Sequence, residues 1–406
     1  MTAHILEKLA LTNPDCEIWW DSSPLVYQQW AKGVLSEAPV AKKGIWEEQL
    51  KRLYDPEEVS KAGVMGFRGV TTNPPLSLQA ILANPDYWVS KIRKIIAQNP
   101  AHNVEQIYWK VYLETVRSGA DLIQPVFEES GGKYGYISGQ VDPRFVTDLD
   151  RMRSDAADLK AIGPNVMVKV PGSKEGYQLI EELTAEGVST NNTTSFTVPQ
   201  YIACMDAVSS GLEKARKNGV DLSKWRSVIT HMSARLGNVG DLLWQAQERG
   251  IKVTAEEITL GELAVIKRAY NHIQKIGHPS KMLMCSMRVT FDEAEDSASS
   301  WHIQKLAGGD FVYTCPPSYI TKLMHHEDRL GPFNASAFKG DISAASLNKL
   351  LKLPYFRQAY EFDGLKKEEF SQYGAFIATA SEFALATRKT IDFVARVYAD
   401  TKQQAA

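Results

Sequence analysis

Val166-Met-Val-Lys-Val170, Gly176-Tyr-Gln-Leu-Ile-Glu-Glu-Leu183 and Val188-Ser-Thr-Asn191 follow one another in close succession. The outer two are short runs containing β-branched residues, as strands prefer. The middle one is longer and carries the apolar spacing of a helix. Strand, helix, strand is the βαβ unit of a parallel sheet. The same alternation runs along the chain. Further strand-like runs are Glu17-Ile-Trp-Trp-Asp21, Gly69-Val-Thr-Thr72, Tyr134-Gly-Tyr-Ile-Ser138 leading to Val141, Ser227-Val-Ile-Thr230, Lys281-Met-Leu-Met-Cys-Ser286 and Phe311-Val-Tyr-Thr314. Helical patterning lies between them, for example over Glu262-Leu-Ala-Val-Ile-Lys-Arg-Ala-Tyr270. Eight such repeats point to a (β/α)8 TIM barrel. A doubly wound open sheet is the runner-up, but its Gly-rich first turn is absent.

Two stretches exceed a minimal barrel. Residues 26–66 are polar and helix-prone, with Trp30, Trp46 and Leu50 as packing anchors. Residues 320–406 carry three or four helical patterns, including Phe370 to Arg388. Neither is flanked by a Pro/Ser/Gly-rich linker. The expectation is a single barrel domain over 1–406, with a barrel core at about 15–320, a helical insertion at 26–66 and a C-terminal helical extension at 320–406. The last six residues, Thr401 to Ala406, are expected to fray.

The chain has 406 residues, 44% hydrophobic and 23% charged, which excludes a disordered chain, a collagen and a coiled coil. Forty-six Lys and Arg against 48 Asp and Glu leave a net charge of −2. Such a balance argues against nucleic acid or an anionic membrane as partner, so any phosphate must meet a few placed cations. Cys16, Cys204, Cys285 and Cys315 lie far apart, with no C-x-x-C pair. That fits a reducing compartment and neither a disulfide framework nor a zinc knuckle. No signal-peptide pattern and no long apolar run stands out, so a cytoplasmic protein is expected.

In a barrel the chemistry gathers at the C-terminal ends of the strands. Residues two apart on a strand share a face. On that parity Asp21, Asn73, Gln140, Lys169, Asn191 with Thr193, Thr230, and Ser286 with Arg288 all point into one mouth. Burying so many polar ends unpaired would cost roughly 1–3 kcal/mol each, so a function is implied. Lys169 sits among apolar neighbours. Desolvation there would lower its pKa and leave a neutral amine able to attack a carbonyl. A lysine that snorkels outward or pairs with a carboxylate fits the same segment.

Five segments, in order along the chain, resemble the transaldolase family. Gly69-Val-Thr-Thr-Asn-Pro-Pro-Leu76 resembles its second-strand signature, and Gly139-Gln-Val-Asp-Pro-Arg144 its Glu-Val-Asp segment. Val166-Met-Val-Lys-Val-Pro-Gly-Ser173 resembles its lysine strand. Gly187-Val-Ser-Thr-Asn-Asn-Thr-Thr-Ser-Phe-Thr-Val-Pro-Gln200 resembles the segment after it, and Met284-Cys-Ser-Met-Arg288 its Ala-Ser-Phe/Ile-Arg segment. The resemblance implies a class I aldolase that moves a three-carbon dihydroxyacetone unit between sugar phosphates without metal or organic cofactor, and a homodimer. It implies Lys169 as the imine-forming amine and Asp21 as the acid/base at the C4 hydroxyl. Asn73 and Asn191 would hold substrate hydroxyls, and Thr193 a proton-relaying water. Thr230 would face the mouth beside them. Arg235, Arg288 and Ser286 would hold the phosphate.

One position departs from that pattern. The family's Glu before Val-Asp is Gln140 here, as in the fructose 6-phosphate aldolase branch, and an amide orients water without titrating. The residue after the sixth strand is Met232, where the two branches carry Phe or Tyr. These departures keep two other readings open: a free C–C lyase or specialised transaldolase with a non-standard sugar, and a catalytically silent sugar-phosphate binder.

The remaining candidates are weaker. His231 points by parity towards the helices, although a loop twist would bring it to the mouth. His325-His326-Glu327-Asp328 reads as a solvated turn, because adjacent residues do not share a helix face. Gly131-Gly132-Lys133 lacks the rest of a phosphate loop. Trp19 and Trp20 read as barrel and barrel–helix packing, Asp142 and Arg144 as a pair that orders a loop, and Lys366-Lys367-Glu368-Glu369 as a solvated helix start.

Overall fold

In the computed structural model, which describes residues 2–55 and 66–404, eight parallel strands close into a barrel. They are β1 (Glu17–Trp20), β2 (Gly69–Thr71), β3 (Tyr136–Gln140), β4 (Val166–Pro171), β5 (Thr190–Thr193), β6 (Ser227–Met232), β7 (Lys281–Cys285) and β10 (Val312–Cys315). Two more strands, β8 (Thr290–Asp292) and β9 (Ser297–Ser299), form an exposed antiparallel hairpin that sequence reading does not anticipate. The barrel order is β1-β10-β7-β6-β5-β4-β3-β2, so no open edge remains and the open doubly wound sheet is excluded. Lys169 lies on the fourth strand, in register with Gln140 of β3 and Asn191 of β5.

At the N-terminal end Trp19 fills the bore, and its indole donates to Glu17 at 3.0 Å. Burial alone would raise the Glu17 carboxyl. The guanidinium of Arg226 and the ammonium of Lys281 prevail and hold it below its ordinary value. The indole needs a neighbour without a side chain. A Cβ on Gly69, paired with Trp19 across β1 and β2, would lie 2.5 Å from the ring. Gly69→Ala should therefore destabilise the fold by about 1–3 kcal/mol, the range for overpacking, seen as a lower midpoint in urea unfolding. Unchanged stability would mean that the ring can move at no cost.

The expected insertion forms the helices Tyr27–Glu37 and Lys43–Leu53, and its end, 56–65, lies outside the described residues. Trp20 turns outward and packs on Tyr27, Trp30 and Phe67. The C-terminal extension ends in a long helix, Gly374–Gln404. It packs against the helices Pro74–Ala83, Pro85–Gln98 and Val104–Glu129 and the turn Pro143–Phe145. Two of these elements directly follow β2 and β3, so the long helix runs along the C-terminal rim of the barrel. The fraying expected from Thr401 is not seen up to Gln404. Tyr398 Oη bonds His102 O at 3.0 Å and Lys402 Nζ bonds Pro100 O at 3.2 Å, which ties the last turns down. Ala405 and Ala406 lie outside the described residues.

The four cysteines are free and buried. No described helix is long and apolar enough to cross a membrane. Asp142 and Arg144 pair at 2.7 Å, and the His325–Asp328 segment is surface structure, with His326 stacked on Phe291.

Candidate active site

At the C-terminal mouth a cavity of about 190 Å³ opens among residues from most of the strands. Asp21, Asn73, Lys169, Thr193, Thr230, Arg235 and Ser286 line it. Side-chain alternation along the strands brings Asp21, Asn73, Lys169, Thr193 and Thr230 there, whereas Arg235 comes from the short helix Ser233–Asn238 and Ser286 from the turn after β7. Asn73 caps the helix Pro74–Ala83, its Oδ1 accepting from Leu76 N at 2.9 Å, which leaves its amide nitrogen free of that bond. Ser286 holds a φ of +58° directly after β7, and Thr194, next to Thr193, one of +52°. These are two of three non-glycine positive-φ residues among the described ones. Backbone strain of this kind gathers at functional sites.

Lys169 is 5% exposed, and its amine donates to Thr72 O at 3.0 Å. Burial pushes its pKa below the ordinary lysine value, against the opposing charge of Asp21. Burial pushes the Asp21 carboxyl up in turn, although Lys169 and the hydroxyl of Thr71, which donates to it at 2.6 Å, pull the other way. Both groups are thus biased towards their neutral forms. Cys285 also lines the cavity, but burial lifts its thiol to about 12, so it stays protonated near neutrality.

Gln140 and Asn191 flank Lys169 on either side yet do not themselves line the cavity. Asn191 donates to Ser138 Oγ at 2.9 Å and accepts from Thr230 Oγ1 at 2.8 Å, so it is locked beneath the floor. Gln140 Oε1 and Thr193 Oγ1 are buried oxygens that no described protein group satisfies. Such atoms are costly unless something else bonds them.

Arg288 does not reach the mouth. Its guanidinium turns outward to Glu262, 2.6 Å away, and to Thr259 at 2.9 Å, and it lines a separate surface cleft. The cause is the buried Glu262 carboxylate, 1% exposed, which also bonds His302 and would otherwise be left without a cation. His231 also stays out. It is fully buried among helices, with Nδ1 2.6 Å from Tyr201 Oη and Nε2 3.0 Å from Glu262 O, and burial drops its pKa to about 3. The loop twist that would have turned it to the mouth does not occur.

A family model described as Transaldolase/Fructose-6-phosphate aldolase matches residues 54–369, well over half of the chain. The chain belongs to the transaldolase/fructose-6-phosphate aldolase family. Among its curated relatives, "Transaldolase" of Trichodesmium erythraeum is 29% identical over 309 residues, covering 70% of this chain and 80% of that protein. "Transaldolase" of Saccharopolyspora erythraea is 29% identical over 314 residues, covering 73% and 82%. "Transaldolase" of Mycolicibacterium paratuberculosis is 36% identical over a shorter stretch of 170 residues, covering 41% and 45%.

Several wall residues of this family member escape sequence reading. Thr71 and Thr314, whose hydroxyls lie 2.5 Å apart beside Asp21, share the parity of Asn73 and of the eighth run, and that rule would have found them. Glu382 and Phe383 come from the C-terminal helix, and nothing in their sequence surroundings marks them.

Proposed function

We propose that this member of the family is a transaldolase-type transferase that carries a dihydroxyacetone unit on Lys169, taken from a ketose phosphate and passed to an aldose. The observation that carries this reading is the Lys169 amine, buried beside Asp21 inside the barrel-mouth cavity with its pKa lowered by burial. A neutral amine is the nucleophile for imine formation.

The steps balance on these two groups. Lys169 Nζ adds to the C2 carbonyl. Asp21, in its protonated form at this step, gives its proton to the departing hydroxyl, so water leaves and an iminium faces a carboxylate. That fixed positive charge stabilises the newly ionised Asp21. The carboxylate then takes the C4 hydroxyl proton as the C3–C4 electron pair moves into the iminium. The aldose departs and an enamine remains on Lys169. An acceptor aldehyde reverses the last steps, and water releases the new ketose. Asn73 and Asn191 serve the substrate hydroxyls, Asn191 through the Thr230 hydroxyl it holds. Thr230, Ser286 and Arg235 serve the distal end of the sugar. Arg288 is left out of this set, because its guanidinium is committed to Glu262.

Gln140 and Thr193 suit the holding of a water that shuttles protons around C2, since each keeps a buried oxygen unsatisfied by protein. Gln140→Glu should then add a titrating relay and raise kcat, by up to about 10²-fold, within the range for one general acid/base. A tenfold or greater fall would move Gln140 away from the imine. The function itself is tested by incubating fructose 6-phosphate with and without erythrose 4-phosphate. A transferase turns over only with the acceptor; equal release of a three-carbon product without it would make the protein a lyase.

A further inference from the structure

Lys169 and Arg235 are the cationic side chains among the residues lining the cavity. The amine of Lys169 must be neutral to react, so Arg235 is left as the cation able to meet a substrate phosphate. Its fork is already filled. Nη1 lies 2.6 Å and Nη2 2.9 Å from the two carboxylate oxygens of Glu382. That is the bidentate geometry by which guanidinium recognises phosphate. The same helix sets Phe383 beneath the guanidinium, 5.6 Å from the ring centre. Arg235 thus points at the cavity rim between two consecutive side chains of the C-terminal helix.

The pair is not sealed. The Glu382 side chain is 54% exposed against 21% for Arg235, so the carboxylate can swing into solvent without unfolding its helix. The guanidinium holds the Glu382 carboxyl below its usual range, and Glu382 is therefore charged near neutrality. A phosphate arriving at Arg235 meets an anion in its seat, whereas a hydroxyl-ended sugar meets no such competition.

We propose that Glu382 is a specificity-determining residue. Its carboxylate occupies the anion-binding fork of Arg235, so that a sugar with a phosphorylated far end binds only by displacing it. This rests on the reading that the cavity forms a sugar imine, and it adds which end of the substrate the C-terminal helix screens. The consequence is a transferase less selective for phosphorylated sugars than an open Arg235 would make it.

The test is E382Q, which keeps shape and removes charge, with E382A as a second variant. Each is compared with the unaltered protein on fructose 6-phosphate and on fructose, with one common acceptor. The ratio of kcat/KM for the phosphorylated over the unphosphorylated donor should rise about tenfold or more, the scale of one competing ion pair, through a lower KM for fructose 6-phosphate. Inorganic phosphate should also become a tighter competitive inhibitor in both variants. A ratio that is unchanged or falls in both overturns the proposal. Borohydride trapping of dihydroxyacetone separates the two claims, because that ketose has no far end to be screened. Trapping on Lys169 with no change of ratio defeats the role of Glu382 alone, and failure to trap defeats the functional reading.

Discussion

Lys169→Met should lower transfer activity by on the order of 10⁴-fold or more, the scale seen when a covalent nucleophile is removed. Methionine has nearly the length and volume of the lysine stem. It sits on β4 among apolar neighbours and forfeits one hydrogen bond to Thr72 O. The fold should therefore survive, and an unchanged far-ultraviolet circular dichroism spectrum with native-like urea unfolding would establish that. Removing the amine leaves no other described group in the cavity able to form an iminium, since Arg235 is permanently protonated and the Cys285 thiol has no nitrogen to supply. Activity within tenfold of the unaltered protein, in a variant that folds, would refute covalent catalysis at this residue.

Asp21→Asn should reduce kcat by about 10²–10⁴-fold, the range for loss of a general acid/base. Asparagine can still accept from the Thr71 hydroxyl, which donates to Asp21 at 2.6 Å, so the network beside Thr314 persists. What disappears is the proton given to the departing water and the base that removes the C4 proton. The charge of Asp21 also raises the Lys169 pKa against burial. Its removal can only keep the amine neutral, so the nucleophile survives. The variant should still be trapped as an imine on long incubation while turning over slowly. Full kcat in Asp21→Asn would require another base in the cavity.

The fold was legible because each strand carries its own signal. The runs around Val166, Ser227 and Lys281 are short, apolar and separated by helical spacing, and the closed barrel follows from their number. Parity then brought Asp21, Asn73, Lys169, Thr193 and Thr230 to one cavity, because side-chain direction along a strand is fixed by the pleat. Ser286 reaches it through its positive-φ turn instead, since Leu283 and Cys285 are the β7 residues whose parity faces the cavity. The same rule failed for Arg288, which lies past the end of β7. There the backbone has already turned at Ser286, with φ +58°, and parity no longer holds. The buried Glu262 on a helix outside the barrel then decides where the guanidinium goes. Glu382 was illegible for a different reason. A helix shows which face is apolar, but it does not show which part of the barrel rim that face will cover. The hairpin β8–β9 was missed because it is exposed and short, with little apolar alternation.

The chemical account stands on an uncharged amine in the barrel mouth. Borohydride reduction of the protein with fructose 6-phosphate at neutral pH, followed by peptide mass mapping, tests it most directly. A three-carbon adduct should appear on the peptide holding Lys169, and its yield should rise with pH along a limb centred below the ordinary lysine value of 10.5. An adduct confined to other lysines, or none while transfer proceeds at full rate, would contradict it.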